Sequence, residues 1–277
     1  MRNCKVYDRD AFVFYKAVCK KKRDKTLKAR LITIDEDIKS LYEEYDNYFE
    51  KNTLELLNAK GYINPEKTDL EQLYKYSSEL MIKLRIFLTT TESGRVVKCQ
   101  HCTINDVNTL DHLVPQADFS EYNVHPKNLI CCCGDCNTRK NNNWRNHAGR
   151  TTLNLYLDQL PDVQYLFANI EVGNQIIEVS FYLQNPGIDA KLFNLLTEHY
   201  NRLGLFRRFS DAADTVITSF RNILEPMKII TDKHTKRAII AESINREREA
   251  FGHNFWQSIL KLALFNDEDF MHDYINQ

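Results

Sequence analysis

Apolar residues recur at helical spacing through the first third of the chain. Ile38, Leu41, Tyr42, Tyr45 and the Tyr48/Phe49 pair fall on one stripe, the three- and four-residue spacing of a helix face turned toward a core. Gly and Pro are scarce there, so residues 1–95 read as a helical N-terminal region. Thr68, Asp69, Leu70 and Glu71 fit a capping box, in which Thr68 and Glu71 satisfy the first free amides of a helix. That helix would carry Leu73, Tyr76, Leu80, Leu84 and Phe87 on one face. Residues 89–94 are polar and break the pattern, as a linker does.

From 96 to about 150 the periodicity fades and Cys, His and Asn accumulate. A segment of that kind needs support beyond its own apolar residues, which a bound metal can supply. Residues 151–277 return to ordinary globular patterning. Two β-rich runs, 164–172 and 175–183, are joined by Gly173-Asn174, a hairpin signal. Helices are expected over 191–205, 211–224, 234–251 and 254–264. The pattern therefore predicts a mainly α chain of the α+β class in three regions: helical 1–95, a cysteine-rich core at 96–150, and a hairpin plus helices at 151–277.

Composition adds bounds. The 277 residues are 43% apolar and 27% charged, ordinary for a globular protein. No window approaches the roughly 18 apolar residues of a membrane helix, and no export signal is evident, so a cytoplasmic location is expected. Net charge is −1, so nucleic-acid contact would need a local patch. Lys16, Lys20, Lys21, Lys22, Arg23, Lys25, Lys28 and Arg30 form one basic run. It reads equally as a phosphate-contacting face and as a solvated helix surface. The acidic run after it, from Asp35 to Asp46, reads as solvated helix.

Eight cysteines in a cytoplasmic chain argue against a disulfide framework. Six of them, Cys99, Cys102, Cys131, Cys132, Cys133 and Cys136, cluster, which points to a metal. Cys99/Cys102 and Cys133/Cys136 are C-x-x-C pairs, and two such pairs supply the tetrahedral four-sulfur shell of structural zinc. The second pair could slip in register, but only Cys133 and Cys136 have the two-residue gap. Cys131 and Cys132 then end an apolar strand that starts at Leu129. His101 reads as a neighbour of the ligands. A closed four-sulfur shell has no open position, so this zinc is expected to be structural.

Between the pairs lie groups suited to phosphodiester hydrolysis. That reaction needs a base to activate water and a hard cation to hold developing charge. His112 can be the base, since an unperturbed imidazole titrates near 6.5. Asp111 supplies an oxygen suited to Mg2+ or Mn2+. Adjacent strand residues point to opposite sides, so a twist or bulge is expected at Asp111-His112. Taken singly, Asp111 could cap a turn and His112 could be a buried core histidine.

The order C-x-x-C, Asp111-His112-x-x-Pro115, Asn128-Leu129, C-x-x-C-Asn137-x-x-Lys140 resembles the HNH endonuclease family, in the form whose ββα-metal core is clasped by two C-x-x-C pairs. The match covers roughly a sixth of the chain. The resemblance implies that Asp111 and Asn137 bind the catalytic Mg2+ or Mn2+, that His112 is the general base, and that Asn128 braces the loop and orients His112. Many members have histidine where this chain has Asn137, which weakens the donor set for softer ions. Asn141 or His147 are alternatives to Asn137, though Asn137 is better positioned. Lys140, Arg139 and Arg145 would meet phosphates, while His125 and His147 read as surface residues or secondary contacts.

The expected activity is metal-dependent endonuclease cleavage, most simply of DNA. The alternatives are cleavage of RNA such as tRNA by the same site, and a noncatalytic zinc module that binds nucleic acid or protein. No phosphate-binding glycine loop is present, so the chain carries no motor of its own. The arrangement is similar to HNH effectors that work beside an ATPase in bacterial antiphage systems such as Septu and related retrons, which implies a protein partner.

Overall fold

A computed structural model describes the chain except residues 93, 174–176, 231, 276 and 277, and the side chains of 273 and 275. The predicted hairpin turn residue Asn174 and the strand start Gln175 lie outside the described residues, as does Ser93 of the predicted linker. The chain forms two compact units. One holds Asn3–His101 and Asn105–Gln159, and the other holds Met1–Arg2, Cys102–Ile104 and Leu160–Gln277.

The first unit opens with three helices, α1 (Ala11–Lys21), α2 (Lys25–Thr33) and α3 (Asp35–Glu50). Asp10 and Asp24 start the first two by accepting backbone amides of Val13, and of Thr26 and Leu27, which satisfies donors a helix cannot pair internally. α3 buries Ile38, Leu41, Tyr42, Tyr45 and Phe49, the stripe read from the sequence. Helices α4 (Glu66–Glu71) and α5 (Glu79–Thr89) follow. Arg30 of α2 forks onto Asp69 of α4 at 2.6 and 2.7 Å, a bidentate geometry stronger than a single hydrogen bond.

Two expectations change here. Thr68 lies inside α4 and donates to Asn64, so it is no N-cap. The single helix expected across residues 68–87 is broken, and α5 is started by Ser78, whose hydroxyl accepts from Met81. The break leaves Tyr74 free to donate its hydroxyl to the Leu110 carbonyl at 3.3 Å. The polar stretch after α5 is also more than a linker: β1 (Thr90–Thr91) pairs with β2 (Gly94–Arg95).

Next come β3 (Thr109–His112) and β4 (Leu129–Cys132), paired antiparallel, then α6 (Gly134–Lys140) and a small hairpin of β5 (Arg145–Asn146) and β6 (Gly149–Arg150). α6 packs on β3. The cysteine-rich segment does not stand apart from the helices. Residues 110–115 and 119–126 are buried throughout. Its long loop carries Tyr122 and His125 into a ring cluster with Tyr42 and Tyr45 of α3, with centroids 4.2 to 6.3 Å apart. Aromatic pairs at such distances contribute about 0.5–1.5 kcal/mol each beyond area burial.

The second unit begins with β7 (Leu166–Val172) and β8 (Ile177–Leu183), in register from Leu166↔Leu183 to Val172↔Ile177. Helices α7 (Ala190–Arg202), α8 (Leu205–Asp211), α9 (Ala213–Leu224), α10 (Lys233–Phe251), α11 (Trp256–Asn266) and α12 (Glu268–Ile275) complete it. Phe181, Phe209 and Trp256 join the hairpin to α8 and α11. The chain is thus mainly helical with small two-stranded sheets. Among the described residues no helix is long and apolar enough to cross a membrane.

Candidate functional site

Cys99, Cys102, Cys133 and Cys136 are buried with their sulfurs all within 4.8 Å of one another. Tetrahedral zinc with Zn–S bonds near 2.3 Å has sulfurs about 3.8 Å apart, so this spacing fits one ion after a small contraction. The first knuckle is closed by the Cys99 amide donating to the Asn105 carbonyl at 2.9 Å. It turns on Thr103, whose φ of 55° is uncommon for a β-branched residue. The second knuckle doubles as the start of α6. The Cys136 amide donates to Cys133 Sγ at 3.4 Å, and Gly134 donates to Asn108 Oδ1 at 2.7 Å, tying α6 to the entry of β3. The four-sulfur set is the one the spacing selected. His101 is buried beside it and is not one of the four. Cys131 and Cys132 lie within β4.

The ladder beyond the cysteines is regular through its last pair, His112↔Leu129, so of the twist or bulge expected there no bulge is found. Asp111 and His112 therefore face opposite ways, and the tertiary structure gives each a different partner. Asp111 meets Lys140 of α6, with Nζ 3.1 Å from Oδ1. The same ammonium donates to the His112 carbonyl at 2.6 Å. Burial pushes the Asp111 carboxyl above its usual range, and Lys140 opposes that shift. His112 sits against the Tyr74 ring, edge to face at 5.0 Å, with Nε2 2.9 Å from the Asn123 carbonyl oxygen. A carbonyl can only accept, so Nε2 carries the proton and Nδ1 keeps its lone pair. Burial lowers the His112 pKa to about 4 against the support of the Asn123 contact. Burial thus favours the neutral ring and opposes its protonation.

Asn128 is fully buried and closes the loop between the strands. Its oxygen accepts from the Val114 amide at 2.8 Å and from the Tyr45 hydroxyl at 3.2 Å. Its amide donates to the Val114 and Tyr122 carbonyls. Tyr122 precedes Asn123, so Asn128 reaches His112 only through the loop it braces. Asn137 is half-exposed, one turn before Lys140 and on the same side of α6, since residues three apart on a helix are neighbours. Asp111 and Asn137 each carry an oxygen of the kind Mg2+ or Mn2+ takes, and that of Asp111 is held by Lys140.

The three expected phosphate contacts divide. Lys140 is buried on Asp111 and is not a surface cation. Arg145 donates to the Glu55 and Leu57 carbonyls and lies over the Trp144 ring, so its guanidinium serves the fold. Arg139 is exposed and paired with Asp135 at 2.8 Å. His147 and Asn141 are exposed. His125 is not on the surface but fully buried, with Lys127 and Asp46 nearby. Sequence reasoning missed Asn123 and Tyr74. Asn123 acts on His112 through its backbone carbonyl, which no side-chain pattern reveals, and Tyr74 is brought there by the helix break.

The chain is similar to Protein ea31 of Escherichia phage lambda, with 24% identity over 224 residues covering 75% of each chain. No family model and no solved structure matches it.

Proposed function

We propose that the chain is a metal-dependent endonuclease of the HNH type, acting on the phosphodiester backbone of DNA. The observation that carries the reading is the β3–β4–α6 segment closed by four buried cysteines, in which Lys140 of α6 binds the Asp111 carboxylate and the His112 carbonyl, with Asn137 one turn earlier on the same helix. His112 would take the proton from the attacking water, once the end of β3 twists to bring its ring to the side of Asp111. Asp111 and Asn137 would hold a divalent cation, which would stabilise charge on the scissile phosphate. The four-cysteine cluster would hold zinc and keep α6 on β3, which maintains the spacing between Asn137 and Asp111. A partner ATPase in a bacterial antiphage system is the setting this reading favours, because no phosphate-binding glycine loop occurs in the chain.

The test is a cleavage panel of plasmid, linear duplex, single-stranded DNA and tRNA, each with Mg2+, with Mn2+ and with chelator, in the presence and absence of a candidate partner. DNA cutting that needs metal supports the reading. Exclusive cutting of tRNA moves the same site to RNA. No cutting of any substrate leaves a noncatalytic zinc module and sinks the enzymatic reading.

A further inference from the structure

The basic run resolves into cations that serve the fold and cations that do not. Lys16 pairs with Asp35, and Arg30 is committed to Asp69. Lys20 and Lys21 close the last turn of α1, where positive charge offsets the helix dipole. Arg23 and Lys75 are exposed, and among the described residues neither forms an ion pair.

Arg23 and Lys75 line one cleft of about 260 Å³ with Lys21 and Lys22. The cleft runs between the end of α1 and the broken segment ahead of α5. Among the described residues Glu79 is its one acidic lining residue, already held by Lys21 at 3.1 Å and Lys83 at 2.6 Å. Asp24, next to Arg23, is spent on capping α2. Lys22 donates to the Gln72 carbonyl. Partial burial and the nearby Lys75 charge both bring it below the ordinary lysine range, with Cys19 opposing. Beyond the Lys21–Glu79 pair, Lys22, Arg23 and Lys75 are like charges that repel, and a bound phosphate would relieve that repulsion.

The cleft adjoins the candidate site along the chain. Its wall includes Leu73 and Lys75. The residue between them is Tyr74, whose ring lies edge-on to His112 at 5.0 Å. Lys75, a cleft cation, directly follows Tyr74, the residue that touches the candidate base, one Cα step of about 3.8 Å away.

We infer that the cleft formed by Lys21, Lys22, Arg23 and Lys75 binds the sugar-phosphate backbone of the nucleic acid. This rests on the proposed nuclease reading, and binding tests it apart from cleavage. Backbone contacts of this kind carry affinity and position the strand without reading its bases.

The experiment is fluorescence anisotropy with a short mixed-sequence DNA duplex and its single strand, in chelator so that nothing is cut, over a series of salt concentrations. The full-length chain is compared with the double variant Arg23→Glu/Lys75→Glu, both changes being at exposed positions. A control, Lys39→Glu/Lys51→Glu, makes the same net charge change on exposed positions of α3 and its end. The cleft variant is expected to bind at least about tenfold more weakly. Its salt slope should fall by about 2, near one unit for each phosphate that is no longer neutralised. The control should bind within about threefold of wild type. Equal weakening in both variants, unchanged binding in the cleft variant, or no binding by wild type would each overturn the cleft. If the cleft variant loses affinity while no substrate is ever cut, the cleft stands and the nuclease reading falls. If wild type cuts DNA and the cleft variant binds normally, the reverse holds.

Discussion

Lys140 Nζ lies 3.1 Å from Asp111 Oδ1, with both side chains almost completely buried. The lysine closes the end of α6 onto β3 and neutralises the carboxylate that the proposed chemistry assigns to a divalent cation. Removing one member of a buried ion pair typically costs about 3–5 kcal/mol, because the other charge is left stranded. Lys140→Met should therefore lower the thermal midpoint of the first unit, and adding Asp111→Asn should recover most of the loss. Added Mg2+ or Mn2+ should raise the midpoint of Lys140→Met more than that of wild type. Equal metal effects on the two would remove Asp111 from the proposed ligand set.

The buried sulfurs of Cys99, Cys102, Cys133 and Cys136 are within 4.8 Å of one another. Elemental analysis should find about one zinc per chain. Cys99→Ser and Cys136→Ser should lose it and unfold at lower temperature, since binding energy at a structural zinc site is folding energy. A stable Cys99→Ser/Cys136→Ser double variant would exclude a structural metal there.

Asn128 makes four hydrogen bonds to three residues from inside the loop, two to Val114 and one each to Tyr122 and Tyr45. Asn128→Ala leaves the buried Val114 amide without an acceptor, so a loss of about 2–4 kcal/mol is expected. Chemical denaturation measures it. A loss under about 1 kcal/mol would show that the loop is held mainly by its aromatic cluster.

His125 is buried against Tyr42 and Tyr45, with Asp46 claimed by Lys127 at 3.0 Å. Burial, reinforced by the Lys127 charge, holds its pKa well below the ordinary 6.5. The folded state then binds fewer protons than the unfolded state in acid. The stability from the neutral ring is present above the unfolded pKa and is lost as pH falls below it, by about 1.4 kcal/mol one unit down. His125→Phe should flatten stability against pH between about 6.5 and 5. An unchanged slope would mean that the ring titrates normally in the fold.

His112→Ala should reduce cleavage about 10²- to 10⁴-fold, the usual contribution of a general base, with the folded circular dichroism spectrum retained. Asn137→Ala should raise the metal concentration needed for half-maximal rate. Cleavage by His112→Ala at the wild-type rate would move the base elsewhere.

The helical stripe on α3, the apolar strand ending at Cys132 and the two cysteine pairs were legible because each is a local pattern of spacing. The break between α4 and α5 was not, because Leu73, Tyr76, Leu80, Leu84 and Phe87 keep helical spacing across it. Ser78 capping and the pull of Tyr74 toward Leu110 override that propensity. The burial of His125 was equally hidden, since its partners Tyr42 and Tyr45 lie some eighty residues earlier.

The candidate site between Asp111 and Lys140 divides along the same line. Residue type and spacing alone determined the four-sulfur set and the presence of a carboxylate beside an imidazole, because ligand number and reach are properties of short segments. Only the tertiary structure decided what those groups meet. It turned Asp111 and His112 to opposite sides of a regular ladder, gave His112 a carbonyl from Asn123, and drew Lys140 inward to Asp111. The physical reason is burial. Once water is excluded, a charge or a ring nitrogen takes the partner that packing brings within about 3 Å, and distance along the chain carries no information about which partner that is.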